Sequence, residues 1–177
     1  MRTETITRNV YKFDELSEQA KRYALDSLID INTGFDWWEY VYKDAESIGL
    51  KITGFDLDRN RHAKGEFLLS ATEVAANIMR DHGDTCSTFA TATDFLDRHA
   101  ELMEAYIREE ADVDGSSEEL RTAEDALIEC EDDFLDSILE DYLIILQKEY
   151  EHLESDEAVI DTIEANGYEF LENGELA

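Results

Sequence analysis

Apolar and polar residues repeat along the start of the chain in patterns that predict a strand and two helices. Residues 3–13 alternate as in a strand, and Asp14 or Ser17 is placed to cap the helix that follows. Asp36 with Glu39 three residues later is a capping-box pattern that begins a second helix. One face of this second helix is apolar and is predicted to be core: Trp37, Tyr40, Val41, Ala45 and Ile48.

The next part of the chain predicts a β-hairpin and a short helix. Residues 50–57 and 64–70 have the alternation of strands and are joined by a polar loop. Ser70 with Glu73 is another capping box and opens a helix that ends at Gly83.

Two long helical patterns dominate the second half. The first begins at Thr85 and breaks at Asp114–Gly115, and the second covers residues 116–155. Because the turn between them is short, they are predicted to pack as an antiparallel hairpin. A last helix covers residues 156–167, and residues 168–176 have the pattern of a closing strand.

Length and composition predict one globular domain. A chain of 177 residues buries about 70% of the surface that its unfolded form exposes, and an apolar fraction of 43% is that of a folded protein. We predict a single domain over residues 1–177, with an α+β part at 1–84, a helical hairpin at 85–155 and a terminal helix and strand at 156–177. The fold class is α+β: a small antiparallel β-sheet with several helices and a long acidic antiparallel helical hairpin.

The length of the apolar runs and the placement of the cysteines indicate the cellular compartment of the protein. The longest apolar run, Tyr142 to Leu146, has five residues, and the amino terminus has no apolar block of the signal-sequence type. Cys86 and Cys130 lie far apart without a metal-type partner pair, as expected of reduced, buried thiols. The chain is therefore predicted to be cytoplasmic, with no membrane partner.

Acidic residues concentrate in the last 77 residues. The formal net charge is −30, far beyond the magnitude of about 2 to 8 that keeps a small domain soluble. Residues 1–100 hold 12 basic and 18 acidic residues, whereas residues 101–177 hold 3 basic and 27 acidic ones. Repulsion on this scale opposes folding, so a role other than folding is expected to favour the charge.

The longest predicted helix separates its apolar stripe from its acids. At about 100° per residue the stripe consists of Leu120, Ala123, Leu127, Cys130, Phe134, Ile138, Tyr142 and Ile145. Nearly opposite lies a row formed by Glu118, Asp125, Glu129, Asp132, Asp133, Asp136 and Glu140, which Glu151 and Glu154 are predicted to resume. The preceding helix offers a second row: Glu101, Glu104, Glu109, Glu110 and Asp112. One row, with acids about every 5 to 6 Å, is about a third as dense in charge as duplex DNA, and two rows on one side help close that gap.

A solvated helix face, halophilic adaptation or calcium binding would also account for acids in such number. A charge run is commonly a solvated face, and halophilic surfaces are acidic with few lysines, of which this chain has six. The nearly balanced first 100 residues argue against a solvent adaptation. Asp56, Asp58 and Asn60 resemble the first half of a calcium-binding EF-hand loop. Calcium binding is disfavoured, because Arg61 stands where the loop needs glycine and Phe67 stands where it needs glutamate.

Catalytic and nucleic-acid-binding signatures are weak or absent in the sequence. No two of the four histidines have the spacing of a metal-ligand pair; they are His62, His82, His99 and His152. Residues 82–86 hold His, Asp and Cys in a turn-like segment, which leaves a metal cluster as an alternative. Nucleotide-binding and hydrolase motifs are missing, so we predict no enzyme, cofactor or metal. The modest basic cluster of Arg59, Arg61, His62 and Lys64 does not predict direct nucleic-acid binding.

Three segments resemble a family of small proteins found in tailed bacteriophages and prophages. They are VYKFDELSEQAKRYAL, FDWWEYVYKDAESIGLKITGFDLDR and DEAVIDTIEANGYEFLENGELA, and the acidic hairpin shares least of the likeness. The resemblance implies an accessory phage protein made inside a bacterial cell. Its acidic surface would then be similar in kind to those of DNA-mimicking phage inhibitors, an analogy of surface chemistry between unrelated folds.

The resulting hypothesis is a non-enzymatic inhibitor of the anti-CRISPR or anti-restriction type. The two acidic rows are its predicted partner-binding residues, and the partner is the basic nucleic-acid-binding surface of a host CRISPR effector or restriction enzyme. The alternative is an antitoxin-like or regulatory interaction module that binds through apolar residues, with an acidic face that only solvates. A homodimer is a further alternative, because two copies of the chain would bring together acidic rows that a single copy keeps apart.

Overall fold

The computed structural model describes Arg2, residues 7–111 and residues 117–177. Its helices are α1 (Glu18–Ser27), α2 (Glu39–Ser47), α3 (Ala71–Asp81), α4 (Ser87–Ala111), α5 (Ser117–Leu153) and α6 (Asp156–Asn166). Its strands are β1 (Leu50–Asp56) and β2 (His62–Phe67). The α+β class predicted from the sequence is confirmed.

The folded chain forms two compact units. Unit 1 combines Met1–Trp37 with Lys148–Ala177, and unit 2 is the continuous segment Trp38–Gln147. The long helix α5 contributes residues to both units. The single domain inferred from the sequence stays a prediction.

Unit 1 is built from α1, α6 and the backbone that flanks them. Ser17 caps α1, because its hydroxyl accepts a hydrogen bond from the amide of Ala20 at 3.3 Å. Gly167 ends α6 in the left-handed conformation, as the glycine pattern predicts. The apolar core of this unit consists of Phe13, Leu16, Ala20, Ala24, Leu25, Val159, Ile163 and Phe170.

The strands predicted at the two ends of the chain are wrong for the residues that can be described. Residues 7–10 have no regular structure, and Tyr11 makes a single bridge to Phe170, which also bridges Leu176. Gly174, with a φ of 90°, reverses the chain immediately after Phe170. The Gly174 amide donates to the Leu171 carbonyl at 2.9 Å, and this turn interrupts the predicted closing strand. Residues 3–6 of the first predicted strand lie outside the described residues.

The hairpin of unit 2 is confirmed. Strands β1 and β2 pair antiparallel from Leu50 opposite Phe67 to Asp56 opposite His62, with an irregularity between Ile52 and Gly54. After the hairpin, both bonds of the predicted capping box hold the start of α3. The hydroxyl of Ser70 accepts from the Glu73 amide at 3.3 Å, and the Glu73 carboxylate accepts from the Ser70 amide at 3.1 Å.

Helix α2 begins later than its sequence pattern predicts. Trp38 precedes the helix with φ −78° and ψ −7°, which are already helical values, whereas a side-chain cap requires extended backbone at that position. Asp36 is exposed, and the start of α2 has no hydrogen bond from a side-chain cap. The four residues of the predicted face that are buried are Trp37, Val41, Ala45 and Ile48. Tyr40 lies about 100° around the helix from Val41 and is half exposed, so its place in the predicted core is wrong.

Candidate functional site

Helices α4 and α5 form the predicted antiparallel hairpin within unit 2. The Thr91 hydroxyl donates to the Asp141 carboxylate at 2.6 Å, and the Arg98 guanidinium donates to Asp133 at 2.7 Å. Because the partner number falls on α5 as the residue number rises on α4, the two helices run in opposite directions. The predicted break at Asp114–Gly115 lies outside the described residues.

One side of this helix pair is buried against the rest of unit 2. Phe134 stacks on Phe67 of β2 with ring centroids 5.5 Å apart, and the Tyr142 hydroxyl donates to Asp44 of α2 at 2.8 Å. The buried residues of α5 in this unit are Cys130, Phe134, Ile138, Leu139, Asp141, Tyr142, Leu143 and Leu146. Burial, and then the negative charge of Asp44, raise the pKa of Tyr142, so its hydroxyl stays protonated and donates the bond.

We expect Tyr142→Phe to lower the free energy of unfolding by about 1 to 2 kcal/mol. The substitution keeps the buried ring and removes one hydrogen bond to a carboxylate. Chemical denaturation measures the loss. Tyr23→Phe is the matched control, because Tyr23 is 49% exposed, and its expected effect is within about 0.5 kcal/mol. Equal effects of the two substitutions would contradict a stabilising Tyr142–Asp44 bond.

The predicted acidic row of α5 lies on the solvent-facing side of the helix. All seven residues of the predicted row are exposed. Glu118 and Asp136 are five turns apart and lie on one line, and the other members lie within about 60° of that line. Within unit 2 the row ends at Glu140, because Leu143 lies on the same line and is fully buried. Glu151 and Glu154 belong to unit 1, where Glu151 is exposed and Glu154 is half-buried, so their part in the row stays a prediction. Near that position α5 is buried on more than one side, at Asp141, Tyr142, Leu143 and Leu146, which an apolar stripe on a single face does not predict.

The acids of α4 form a row that differs in part from the predicted one. Glu101 and Glu104 are exposed on the outer side, and two further exposed acids that were not predicted, Asp94 and Asp97, extend this row toward the start of the helix. Their spacing of seven and four residues before Glu101 is the signal that would have found them. Glu110 is exposed about 180° away, Glu109 is half-buried, and Asp112 lies outside the described residues.

The two rows lie on the same side of the hairpin. The contacts between the helices are made by residues 91–99 of α4 and 131–141 of α5. On each helix these residues lie about 125 to 130° around the axis from the acids, in the same rotational sense. In an antiparallel pair, rotation in the same sense turns both rows to one side. We call this the acidic surface; it comprises Asp94, Asp97, Glu101, Glu104, Glu118, Asp125, Glu129, Asp132, Asp133, Asp136 and Glu140.

Few cations neutralise this region. Helix α4 and the part of α5 that belongs to unit 2 hold 17 acids and three arginines. Of these arginines, Arg98 is bound to Asp133, and this hydrogen bond raises the pKa of the guanidinium. Within the described part of the chain, Asp125, Asp132, Asp136 and Glu140 make no ion pair. Their charges remain available to a partner.

Residues 82–86, for which the sequence left a metal cluster as an alternative, have another arrangement. His82 Nδ1 lies 2.8 Å from the Thr88 hydroxyl, and His82 Nε2 lies 3.8 Å from the Asp44 carboxylate. Thr88 is 2% exposed, so a substrate has no access to its hydroxyl. Cys86 is exposed, so the burial expected of this thiol from the sequence is wrong. Among the residues the structure describes, no three His, Cys, Asp or Glu side chains are placed to hold a metal ion.

Comparisons with protein-family models, with curated proteins and with solved structures found no match to this chain. The resemblance to tailed-phage proteins therefore stays a prediction. Within the described ranges, no helix combines the length and the apolar character needed to cross a membrane.

Proposed function

We propose that the protein is a phage-encoded, non-enzymatic inhibitor that acts in the cytoplasm of a bacterial host. Its acidic surface docks in the positively charged nucleic-acid groove of a host defence complex, a CRISPR effector or a restriction enzyme. The observation that supports this function is the convergence of two acidic rows on one solvent-facing side of α4 and α5, with only three arginines among 17 acids.

The mechanism is competition for the groove. Carboxylates on the acidic surface stand in for DNA phosphates and accept hydrogen bonds from arginine and lysine of the partner, with two bonds to each arginine where the geometry allows. One row carries acids about every 5.4 Å, and two packed helices lie about 8 to 10 Å apart, so the pair presents negative charge in two parallel lines, as the two strands of a duplex do.

The acids are held in fixed positions before a partner arrives. Beneath the acids the helix pair is anchored by the stacked rings of Phe95, Phe134 and Phe67, whose successive centroids are 4.2 and 5.5 Å apart. A rigid support lowers the entropy lost when the charges bind. The negative field also accelerates encounter with a basic partner, which helps an inhibitor reach its target before that target acts.

A salt-graded affinity capture from bacterial lysate tests the function. The tagged protein is washed at about 0.1 M and then about 1 M salt, where electrostatic screening lengths are about 10 and 3 Å. We expect mass spectrometry of the high-salt wash to identify a nucleic-acid-processing complex that competing duplex DNA also displaces. The proposal fails if the retained partner resists both salt and DNA.

That contrary result would favour the second candidate, an interaction module that binds through apolar residues. Phe35, Leu68 and Leu69 are 61%, 48% and 46% exposed and are the positions to substitute in that case. Burial of apolar area depends weakly on salt, so the two candidates differ in the same experiment.

A further inference from the structure

A small pocket opens between α4 and α5 on the acidic surface. Its volume is about 200 Å³, below the range of about 300 to 1,000 Å³ typical of small-molecule sites, and a space of this size suits a single side chain. The pocket lies wholly within unit 2 and is lined by Thr91, Asp94, Phe95, Arg98, Cys130, Asp133, Phe134 and Ser137.

The inner wall of the pocket is apolar. Phe95 and Phe134 stack nearly parallel, with ring centroids 4.2 Å apart and an angle of 10° between the ring planes. Cys130 beside them is 1% exposed, and burial raises the pKa of its thiol, which therefore remains neutral. The wall suits the aliphatic stem of a long side chain.

The rim of the pocket is negatively charged. Asp94 and Asp133 line it, and Glu129 lies close enough to act on the charge of Arg98. Arg98 is the one cation of the lining, and it is held by Asp133 at 2.7 Å. Within the described residues Asp94 makes no ion pair. A carboxylate thus remains for the charged end of a second cation.

We propose that this pocket receives one arginine side chain of the protein partner. The stem would lie along Phe95 and Phe134, as arginine stems do on apolar surfaces, and the guanidinium would bind Asp94. The inference rests on the proposed function, because it assigns the pocket to the same basic partner. It adds a fixed position, occupied by an arginine, to a surface that otherwise recognises charge alone.

Nuclear magnetic resonance titration with N-acetyl-arginine amide tests the pocket directly. We expect saturable shifts of backbone amides at Thr91, Asp94, Cys130 and Ser137. The citrulline analogue has nearly the same shape without the charge and is expected to cause none, and N-acetyl-lysine amide is expected to bind more weakly because it lacks the planar fork. Shifts without saturation, or equal binding of the arginine and lysine compounds, would overturn the assignment.

Two matched pairs of variants locate the binding. Asp94→Asn is expected to weaken arginine binding about fivefold, as the loss of an ion pair worth about 1 kcal/mol does, whereas Asp97→Asn on the same row changes it less than twofold. Ser137→Phe fills the pocket without changing charge and should abolish the saturable shifts. Ala100→Phe, exposed on α4 away from the lining, should preserve them. Arginine binding that survives Ser137→Phe would refute the site.

The titration and the lysate capture fail independently. If the capture yields a nucleic-acid-processing complex that salt releases, but arginine binding does not saturate, the acidic surface remains the interface and the pocket proposal is refuted. If arginine binding saturates but the protein captures no such complex, the pocket proposal is supported and the proposed class of target is refuted.

Discussion

Replacing Asp125, Asp132, Asp136 and Glu140 with the matching amides is expected to weaken binding to the captured partner about 100-fold. These four acids are exposed on the acidic surface and make no ion pair within the described part of the chain. Each would lose an exposed ion pair with the partner worth about 0.7 kcal/mol, and four such losses amount to about 2.8 kcal/mol. Titration calorimetry or surface plasmon resonance at about 0.1 M salt measures the change.

The same variant should be at least as stable as the original protein. Neutral amides remove like-charge repulsion along α5, so the free energy of unfolding is expected to stay constant or rise. The control variant carries the same change in charge at four exposed acids outside α4 and α5: Asp36→Asn, Glu46→Gln, Asp84→Asn and Asp161→Asn. A similar loss of binding in this control would show that total charge is responsible, and unchanged binding in both variants would contradict the proposed interface.

The largest effect on stability is expected at Phe134. Phe134→Ala should lower the free energy of unfolding of unit 2 by about 3 to 5 kcal/mol, because Phe134 is 3% exposed and stacks on Phe95 and Phe67 together. The substitution removes a ring between the acidic helix pair and the β-hairpin. Ile128→Ala is the control on the same helix; Ile128 is 53% exposed, and its loss should cost less than about 0.5 kcal/mol.

Tryptophan fluorescence can report on unit 2 alone. Trp37 belongs to unit 1, whereas Trp38 belongs to unit 2 and contacts Phe55 edge-on at 5.7 Å. In a Trp37→Phe background, urea unfolding followed through Trp38 measures the unit that contains Phe134. Comparable losses for Phe134→Ala and Ile128→Ala in this background would contradict the central position of Phe134 in the packing.

Local signals in the sequence identified much of the secondary structure. Ser17, Ser70 and Gly167 act through their nearest neighbours, so the ends of α1, α3 and α6 follow from spacing alone. The hairpin of β1 and β2 and the antiparallel pair of α4 and α5 also follow from short connections between periodic segments.

Features that depend on distant contacts could not be predicted. Leu139, Leu143 and Leu146 fall outside the predicted apolar stripe, yet they are buried because α5 is covered on more than one side near its centre. Placing the two acidic rows on one side required knowledge of which faces of α4 and α5 pack together, and the contact between Arg98 and Asp133 gives this information. The pocket proposed to receive arginine depends on the same contacts between residues 35 positions apart, so no local pattern in the sequence predicts it.

The division of the chain has a consequence for the order in which the protein can fold during synthesis. Unit 2 is one continuous segment, so every residue it needs has emerged before the final part of unit 1 is made. The first segment of unit 1 must wait while the 110 residues from Trp38 to Gln147 are added, which takes roughly 5 to 20 seconds at typical rates of protein synthesis. During that delay the apolar face of α1 lacks Val159, Ile163 and Phe170, which cover it in the finished fold. A chaperone that binds short apolar segments is therefore expected to meet the nascent chain at its amino-terminal end.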